Sequence, residues 1–459
     1  MNILILGAGQ VGSALAKSLA SDPINNITVI DIDEEKLLLI QRYLDIKTIV
    51  GNGAYPNILE DANIVDMDML IAVTNSDEQN MIACQMAHSL YNVKKKIARI
   101  RTIEYLKHDE LFNQSAIPID HTITPEELVT THIKRIIEEP GSTQVLDFEN
   151  GYVKLVTVKA YQGTPIVGRP IKELHEHLPR NQVRVVALYR NEKAITAYGD
   201  TIIESGDSVY FIAKQGHTSN IIKEFRRREK TYKNIMIAGG GNIGFKLAQA
   251  LEGKCNIRII ELDNERVKEI AGELDKTIVL SGNASDESLL LEEGIRNTDL
   301  FLALTDYDET NVVISLLAKK LGAYKVLTLV KRTAYVDLIQ QSGIIDISLS
   351  PDQITTSRIL TYTRKGDTMA VYSLRYGKAE ALEVIVHGNE ITSNVVGRKI
   401  GQIELPDGVK IGCIVRDEAV IMGTHDVVIK ENDHIIIVLT NVSKIHEVES
   451  LFTDIKNAV

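Results

Sequence analysis

Short apolar runs alternate with amphipathic segments along positions 1–140 of the chain. The apolar runs have the length of β-strands and span residues 3–6, 27–30, 47–50, 69–73 and 96–100. The segments between them have helical spacing and include residues 12–20, 34–44 and 77–91. Continuous apolar strands that alternate with helices are typical of a parallel sheet covered by helices on both faces. The pattern therefore predicts an α/β fold, a Rossmann-like doubly wound parallel sheet.

A further helix is predicted over residues 126–139. Pro125 is a residue type that favours the first turn of a helix, and two glutamates follow it at the positive helix end. The helix ends at Pro140-Gly141. Its apolar residues share one side, namely Val129, Ile133, Ile136 and Ile137. Because this stripe needs a partner, we expect the helix to be a dimer contact or a hinge.

The segment that follows has a different pattern of apolar and turn-forming residues. Residues 143–222 contain short strand-like runs separated by Gly-Asp turns, and residues 366–454 repeat this pattern. Each segment predicts a small α+β module rich in sheet. The charged run at 225–230, FRRREK, is predicted to be a solvated linker between the two halves of the chain.

The whole arrangement occurs twice. Five segments of the first half return in the same order in the second half, at a nearly constant spacing. The pairs are 5–12 with 237–244, 29–33 with 259–263, 51–54 with 282–285, 68–80 with 299–311, and 119–127 with 345–353. A tandem duplication is therefore predicted. Its four domains are two Rossmann-like domains, 1–140 and 227–364, each followed by a small α+β domain, 141–226 and 365–459.

Residues 7–12, GAGQVG, form a GxGxxG motif between the first predicted strand and a helix. In this context Gly7 permits a tight turn, Gly9 lets the backbone approach a pyrophosphate, and Gly12 lets helix and strand pack closely. The candidate cofactor contacts in this loop are Gly7, Ala8, Gly9, Gln10, Val11 and Gly12. The alternative is that the loop is a relic of the fold with no ligand.

Asp31 stands at the end of the second predicted strand, at the place in the sequence where dinucleotide-binding folds carry an acidic residue. A carboxylate there can accept both hydroxyls of an adenosine ribose, and it repels a 2′-phosphate. NAD(H) is therefore favoured over NADP in the first copy. The second copy repeats the set with Gly239, Gly241, Asn242, Ile243, Gly244 and Glu261. Because Glu261 is longer than Asp, the second site is predicted to take NAD(H) or ATP/ADP.

Two arginines end the fifth predicted strand, at the carboxyl edge where ligands bind in such sheets. Arg99 is a candidate phosphate contact there, and Arg101 lies beside it. The matching positions of the second copy hold Leu329 and Lys331, of which Lys331 is the candidate contact. The alternative is that these are ordinary surface cations.

Polar residues also follow the fourth predicted strand in each copy. Thr74 and Asn75 are matched by Thr305 and Asp306 in the second half. Each pair either contacts a ribose or caps the next helix, and the residues alone leave both interpretations open.

Composition limits the functional classes. The chain has 51 Lys and Arg against 62 Asp and Glu, so its formal net charge is −11, which argues against broad nucleic-acid binding. The three cysteines lie far apart, which excludes a disulfide framework and a thiolate zinc site and fits a reducing cytosol. The HEH sequence at 175–177 is interpreted as a solvated turn, so neither catalytic nor metal-ligating residues are predicted. No apolar run reaches the roughly 20 residues of a membrane span. We therefore expect a cytoplasmic protein with no direct membrane insertion.

The combination of motifs resembles a known family. GAGQVG, VIDID, AVTNSDEQN, ARIR and ITPEE, followed by a small module with Gly-Asp turns and then repeated, are similar to the peripheral subunits of Trk-type bacterial potassium uptake systems. The domains of that family are called RCK or KTN. The resemblance covers essentially the whole chain, and the tandem order of modules is more specific than any single motif.

This resemblance implies a regulator and not an enzyme. Family members form rings, typically tetramers of two-copy chains, on the inner face of the cell membrane through a TrkH-like transporter, and they gate that transporter in response to NAD(H) or ATP/ADP. Asn52 and Asn283 lie at family nucleotide-contact positions that usually hold aspartate. Asparagine can still bond adenine or a hydroxyl, but it supplies no negative charge.

Two other classes use the same glycine loop. An NAD-dependent oxidoreductase would need a second region with a general acid or base, and the small modules are too short and too rich in sheet to supply the usual one. A regulator of a Kef-type potassium efflux system is the other alternative. Some relatives bind cyclic di-AMP in their small modules, and no residue of this chain supports or excludes that.

Overall fold

The computed structural model describes residues 1–452 except 180–181, 192, 227–228, 333–334, 337, 340–342 and 365–366. The described residues form four sheets, two parallel and two antiparallel, in alternation along the chain. The predicted boundaries after residues 226 and 364 adjoin positions outside the described residues, and the end of the predicted fourth domain, 453–459, also lies outside them.

The first domain is a six-stranded parallel sheet with strand order β3-β2-β1-β4-β5-β6. Its strands are β1 (Asn2–Leu6), β2 (Asn26–Asp31), β3 (Lys47–Val50), β4 (Met69–Ala72), β5 (Lys95–Arg99) and β6 (His121–Ile123). Its helices are α1 (Gln10–Ala20), α2 (Glu34–Gln41), α3 (Pro56–Asp61), α4 (Asp77–Ser89) and α5 (Ile103–Leu106). Apolar strands covered on both faces confirm the predicted doubly wound sheet.

Helix α6 (Pro125–Glu138) leaves this sheet with Pro125 in its first turn, and its predicted apolar stripe is buried. A five-stranded antiparallel sheet follows, in the order β10-β9-β11-β8-β7. Its strands are β7 (Ser142–Phe148), β8 (Val153–Lys159), β9 (Val183–Arg190), β10 (Lys193–Ile195) and β11 (Ser208–Lys214), and its helices are α7 (Leu174–His177) and α8 (Thr218–Phe225).

The second half repeats both sheets, and its parallel sheet has the same strand order as the first. This parallel sheet consists of β12 (Asn234–Ala238), β13 (Asn256–Glu261), β14 (Ile278–Ser281), β15 (Leu300–Ala303), β16 (Lys325–Leu329) and β17 (Ile347–Leu349). The helices of this half are α9 (Asn242–Leu251), α10 (Asn264–Glu273), α11 (Glu287–Glu292), α12 (Asp308–Leu321), α13 (Pro351–Thr363) and α14 (Ile445–Phe452). Its antiparallel sheet consists of β18 (Thr368–Leu374), β19 (Ala379–Ile385), β20 (Val409–Arg416), β21 (Ala419–Met422) and β22 (His434–Leu439).

The two helices that follow the parallel sheets are exchanged between the halves. Helix α6 of the first half packs against α9 of the second, and α13 of the second half packs against α1 of the first. The apolar side of α6, including Ile133 and Ile136, belongs to one core with the second parallel sheet. Likewise Ile359 and Leu360 of α13 share a core with the first parallel sheet. The α6 stripe, which was expected to form a dimer contact or a hinge, is therefore covered by the other half of the same chain, and α6 and α13 also pack against each other.

The two antiparallel sheets pack face to face. Phe148 and Tyr210 of the first sheet share a core with Cys413 and Ile436 of the second. The approach is so close that a Cβ atom at Gly412 would lie 2.0 Å from Ile212 Cδ1. The halves of the chain are thus joined at two levels, by the exchanged helices and by the sheets.

Two sequence interpretations need correction. The charged run 225–230 is not solvated throughout, because the Arg226 and Glu229 side chains are each 10% exposed and form an ion pair at 3.0 Å. Arg226 also donates to Gly141 O at 2.8 Å, and Lys325 pairs with Glu229 at 2.7 Å, so partners in two domains compensate the buried charges. Residues 227 and 228 of the run lie outside the described residues.

The HEH sequence forms the short helix α7 and not a turn, since its backbone continues the helical turn that begins at residue 171. His177 Nδ1 lies 2.9 Å from the Glu224 carboxylate on α8, so the helix is tied to its own domain. Among the helices that the structure describes, none is both long enough and apolar enough to cross a lipid bilayer.

Candidate nucleotide-binding sites

The first glycine loop joins β1 to α1 and is shaped by two close backbone approaches. Gly7 has φ +103°, a conformation that side-chain-bearing residues rarely adopt, and its N–H donates to Ile30 O at 2.8 Å. A Cβ atom at Gly12 would lie 1.8 Å from Gly7 O. Ala8 and Val11 are buried and belong to the core, so their side chains pack inward. These four residues therefore offer a ligand only their backbone.

Gly9 has a different role from its neighbours. It precedes α1 in ordinary extended backbone, and no atom of the described structure lies within 4 Å of a Cβ placed there. The helix start also lacks a side-chain cap, so its first N–H groups have no side-chain acceptor. A missing side chain next to uncapped N–H groups fits a bound phosphate, because a Cβ would occupy the space that the anion needs.

Asp31 is held rigidly beside this loop. Its Oδ2 accepts from Ala8 N at 2.5 Å, and its Oδ1 accepts from Asp33 N at 2.8 Å. Each carboxylate oxygen keeps a second lone pair for a ribose hydroxyl. The carboxylate is therefore fixed at the end of β2, where a ribose would meet it.

The second loop reproduces this geometry. A Cβ at Gly241 would again meet nothing within 4 Å, whereas one at Gly244 would lie 2.1 Å from Gly239 O. Glu261 Oε2 accepts from Gly240 N at 2.6 Å, and Oε1 accepts from Asp263 N at 2.9 Å. The longer carboxylate thus makes the same two contacts as Asp31. Next to the loop, Asn242 is exposed and Ile243 is half-buried.

Arg266 is a residue that the sequence analysis missed. Its Nε donates to Gly240 O at 2.9 Å, and its guanidinium lies 5.6 Å from the Phe245 ring centre. The matching residue of the first copy is Lys36, which instead pairs with Asp33 at 3.1 Å. The sequence could have indicated Arg266. The internal repeat aligns it with Lys36, and both cations follow a helix-capping aspartate at the same spacing.

A buried asparagine organises the carboxyl edge of the first sheet. Asn80 Oδ1 accepts from Thr74 N at 3.0 Å and from Thr74 Oγ1 at 2.7 Å, and Asn80 Nδ2 donates to Arg99 O at 2.9 Å. Ser76 caps α4 by accepting from Gln79 N, so the interpretation of Thr74 and Asn75 as the helix cap is wrong. Their contact with a ribose stays a prediction.

Arg99 combines anchored and free donors. Its Nη2 donates to Thr74 O at 2.5 Å and to Asn75 Oδ1 at 3.0 Å, whereas its buried Nε has no hydrogen-bond partner. Burial and the neighbouring Arg101 lower the pKa of Arg99, and the carboxylates of Glu126 and Asp352 oppose them. An unpaired buried donor at this edge fits an anionic ligand group.

The second copy keeps the asparagine and loses the arginine. Asn311 accepts from Thr305 N at 2.9 Å and donates to Leu329 O at 3.1 Å. Leu329 is buried in the core in place of Arg99. Lys331 Nζ instead donates to Asp306 O at 3.1 Å. The two sites therefore share a frame and differ in their cations.

Asn52 and Asn283 fix the turn after the third strand of each sheet. Asn52 Oδ1 accepts from Ala54 N at 2.9 Å and from Gln79 Nε2 at 2.8 Å. Asn283 Oδ1 accepts from Ser285 N at 2.9 Å. In both copies the amide oxygen accepts hydrogen bonds from the protein itself. The amide nitrogen is therefore the group for an adenine or ribose contact.

The two sites meet through Gln10 and the first turns of the exchanged helices. With its amide nitrogen turned towards the second half, Gln10 donates to Asp352 Oδ2 at 3.0 Å and to Lys331 O at 2.7 Å. Asp352 stands in the first turn of α13. The matching residue on α6, Glu126, instead pairs with Arg101 Nε at 2.7 Å. This link could not be predicted from the sequence, because it joins residues from opposite halves of the chain.

Two groups of side chains are close enough to share a cation, Glu149 with Glu383 and His434, and Asp22 with His446 and Glu449. His434 Nδ1 lies 2.6 Å from Glu149 and 2.9 Å from Glu383, so its ring connects carboxylates of the two antiparallel domains. Burial raises the pKa of Glu149. None of these residues was predicted from the sequence, since their partners lie in different domains.

Fold and site together define a duplicated Rossmann-fold protein with two inequivalent glycine-loop sites and exchanged helices. The TrkA-N domain family matches residues 3–125 and 235–351, and the TrkA-C domain family matches residues 155–226 and 390–453. The chain belongs to the TrkA family of Trk system potassium uptake proteins.

Relatives of that name align over nearly the full length. The protein of Halomonas elongata is 48% identical over 452 residues, and that of Vibrio alginolyticus is 47% identical over 453 residues. Each alignment covers 98% of both chains. A homologue from Methanosarcina mazei is 30% identical over 460 residues, which are 98% of this chain and all of that one.

Solved structures show the same fold at low identity. The GsuK RCK domain is 16% identical with a TM-score of 0.59, over 98% of this chain and 95% of that one. The GsuK channel bound to NAD is 15% identical with a TM-score of 0.59, over 98% of this chain and 79% of that one. The fold is therefore two RCK units in tandem.

Proposed function

We propose that this chain is the regulatory subunit of a membrane potassium transporter and that nucleotides at its two glycine loops control transport. The names of the relatives at 47–48% identity support the potassium uptake role. The observation that carries the nucleotide role is the open space at Gly9, beside the uncapped start of α1 and the fixed carboxylate of Asp31. The second copy repeats this arrangement at Gly241 and Glu261.

In the first site, the N–H groups of residues 9–12 would hold a pyrophosphate and Asp31 would hold a ribose. The Asp31 carboxylate disfavours a 2′-phosphate, so the preferred ligand is NAD(H) and not NADP. The unpaired Nε of Arg99 offers a further donor to the ligand. A related fold, the GsuK channel, has been solved bound to NAD, which is consistent with this choice.

In the second site, Glu261 would hold the ribose, with Arg266 and Lys331 as the nearby cations. The guanidinium of Arg266 lies at the loop itself, through its bond to Gly240 O. A cation at the phosphate end suits either NAD(H) or the more highly charged ATP and ADP. Because Leu329 replaces Arg99, we expect the two sites to differ in nucleotide preference.

The exchanged helices give a physical route from nucleotide to transporter. Each helix follows the parallel sheet of its own half and packs on a helix of the other half. A nucleotide shifts the balance between two arrangements of the halves only by its difference in affinity for them. The Gln10–Asp352 and Arg101–Glu126 contacts are the polar groups that such a shift would make or break.

The assembly would be a homotetrameric ring of eight Rossmann-like domains, bound to a TrkH-like membrane subunit at the inner face of the cell membrane. This part rests on family membership and on the resemblance of the sequence motifs. The chain itself carries no catalytic role in this proposal, since the frame that both copies repeat serves binding.

The test combines native mass spectrometry with transport. The purified chain is titrated with NADH and then with ATP, and potassium uptake is measured in cells that lack their own regulatory subunit. A tetramer that holds up to two intact nucleotides per chain and restores regulated uptake supports the proposal. A monomer that binds one NADH and oxidises it when offered metabolites would instead identify an oxidoreductase.

A further inference from the structure

A large cavity lies where the exchanged helices meet the antiparallel domains. It has a volume of about 850 Å³, within the range of small-molecule sites. Both exchanged helices line it, α6 through His132 and Arg135 and α13 through Arg358. Tyr210 of the first antiparallel sheet and Tyr372 of the second complete the wall. Both halves of the chain therefore build this cavity, away from the glycine loops.

The charges that line the cavity favour an anion. Its carboxylates are already neutralised, because Glu127 pairs with Lys246 at 2.9 Å and Asp346 pairs with Lys319 at 2.7 Å. Arg135 pairs with Asp147 at 2.6 Å. The remaining lining cations include Lys159 and Arg358.

The side chains of Lys159 and Arg358 are exposed and line the cavity, and no carboxylate of the described residues forms an ion pair with either charged group. Arg358 lies instead 5.0 Å from the centre of the Tyr362 ring. Two uncompensated cations in one partly enclosed space raise the local concentration of anions.

A buried polar group in the wall also lacks a partner. His132 is 5% exposed, and its Nε2 makes no hydrogen bond with the described part of the protein. An unpaired buried nitrogen costs free energy, so its presence points to a ligand that completes the bond. Burial, with a smaller effect from Arg135, lowers the pKa of His132 to about 4. The imidazole is neutral at physiological pH and offers a hydrogen bond without repelling a cationic neighbour.

We infer that this cavity binds a small organic anion, attracted by the cationic side chains of Lys159 and Arg358 and hydrogen-bonded to His132. The tyrosine rings of the wall, Tyr161, Tyr189, Tyr210 and Tyr372, suit an aromatic or otherwise apolar body. A carboxylate and a phosphate monoester share the required charge, so one probe of each class distinguishes them.

The cavity and the glycine loops share the same two helices. Glu126, at the start of α6, lies six residues before His132, which is about 9 Å along the helix axis. Asp352, at the start of α13, likewise lies six residues before Arg358. A bound anion would therefore bias the same helices whose first turns contact Arg101 and Gln10. This coupling rests on the proposed function, whereas binding in the cavity does not.

The experiment is isothermal titration calorimetry of the full chain in excess NAD and ATP, which occupy the glycine loops. The probes are 1-naphthoate and 1-naphthyl phosphate, with uncharged 1-naphthol as the reference for the shared aromatic body. We expect one anion per chain, bound at least tenfold more tightly than 1-naphthol. The stronger of the two anions identifies the acid class of the natural ligand.

Variants locate the binding. Arg358→Gln and Lys159→Gln change exposed side chains and should each weaken anion binding at least fivefold, while the matched control Lys268→Gln on the exposed face of α10 should change nothing. Equal affinity for naphthol and the anions, or anion binding that survives both substitutions in a folded protein, would overturn the inference. If a separate NAD titration of the same protein showed no binding while the anions bound, that result would remove the proposed function and leave this site in place.

Discussion

The amide of Gln10, in the glycine loop of the first half, lies 3.0 Å from the Asp352 carboxylate of the second half, to which it donates with its nitrogen turned to that side. The corresponding loop position of the second half is Asn242, whose side chain is exposed, and the residue that corresponds to Asp352 is Glu126, which pairs with Arg101. The Gln10–Asp352 contact therefore has no counterpart between Asn242 and Glu126, the matching residues of the repeat. It joins a glycine loop to an exchanged helix and is therefore a direct polar link between the two halves of the chain.

The Gln10→Ala substitution should weaken communication between the sites. Coupling between two sites is typically worth about 1–3 kcal/mol, or roughly 5- to 150-fold in affinity. We expect the effect of ATP on NAD affinity to fall severalfold, while NAD affinity without ATP changes less, since Gln10 contributes its side chain to Asp352. Paired titrations of NAD with and without ATP measure both values. Asn242→Ala is the matched control, and an equal loss in that variant would remove the special role of Gln10.

The two glycines of the first loop should separate binding from folding. Gly9→Ala places a methyl group in empty space, so the free energy of unfolding should stay within about 0.5 kcal/mol of the parent while NAD binding at the first site is lost. Gly12→Ala forces a Cβ to 1.8 Å from Gly7 O, which should cost at least about 2 kcal/mol of stability.

Chemical denaturation and NAD titration of the same two proteins check this pair. Gly272→Ala, at another position where a Cβ meets nothing, is the control for an added methyl group. Tight NAD binding in Gly9→Ala would show that the ligand does not approach the loop at this residue.

The Arg99→Leu substitution gives the first site the residue that the second site has at the matching position, Leu329. The substitution removes the guanidinium with the unpaired Nε, so nucleotide affinity at the first site should fall about tenfold or more, the equivalent of roughly 1.4 kcal/mol. Affinity at the second site should not change. Native mass spectrometry resolves the two occupancies, and Arg332→Gln, which removes an exposed arginine paired with Glu309, is the control. Equal weakening of both sites would point to damage of the fold and not of a ligand contact.

The stability of the fold should fall in mild acid because of His132. Its pKa is about 4 in the folded protein against 6.5 for the free group. Between these values the unfolded chain binds a proton that the folded chain does not, so the free energy of unfolding decreases as the pH is lowered from 6.5 to about 4. The contribution is at most about 3 kcal/mol at the acid end of this window.

Urea denaturation at a series of pH values measures this slope. The His132→Gln variant should lose that part of the pH dependence, whereas His425→Gln, at an exposed position, should retain it. An unchanged slope in His132→Gln would place the acid-sensitive group elsewhere.

The sequence was sufficient for the features that depend on local pattern. The strands from 3–6 to 96–100 and the helix after Pro125 follow from periodicity and first-turn chemistry, and the structure confirms them. The duplication followed from aligned segments, and the two parallel sheets have the same strand order. The apolar stripe of Val129 and Ile133 indicated that the helix needed a partner, because an uncovered stripe is unfavourable in water.

Features that depend on contacts between the halves could not be predicted in this way. The stripe shows that α6 is covered, but not that the other copy covers it. The burial of Glu229 follows from its ion pair with Lys325, which lies on a distant strand of the second parallel sheet. Local charge density suggested solvent for that run, because burial of a charge is normally too costly without such a partner.

The exchange of α6 and α13 determines how the pairing of the two halves responds to dilution of the protein. Two separate subunits with this interface would dissociate at low concentration, whereas halves on one chain face each other at an effective concentration set by the covalent connection. The pairing of unlike halves is then independent of how much protein a cell makes. It also favours the pairing of unlike halves within a chain, so the first site can keep Arg99 and the second Leu329 with every molecule holding one of each.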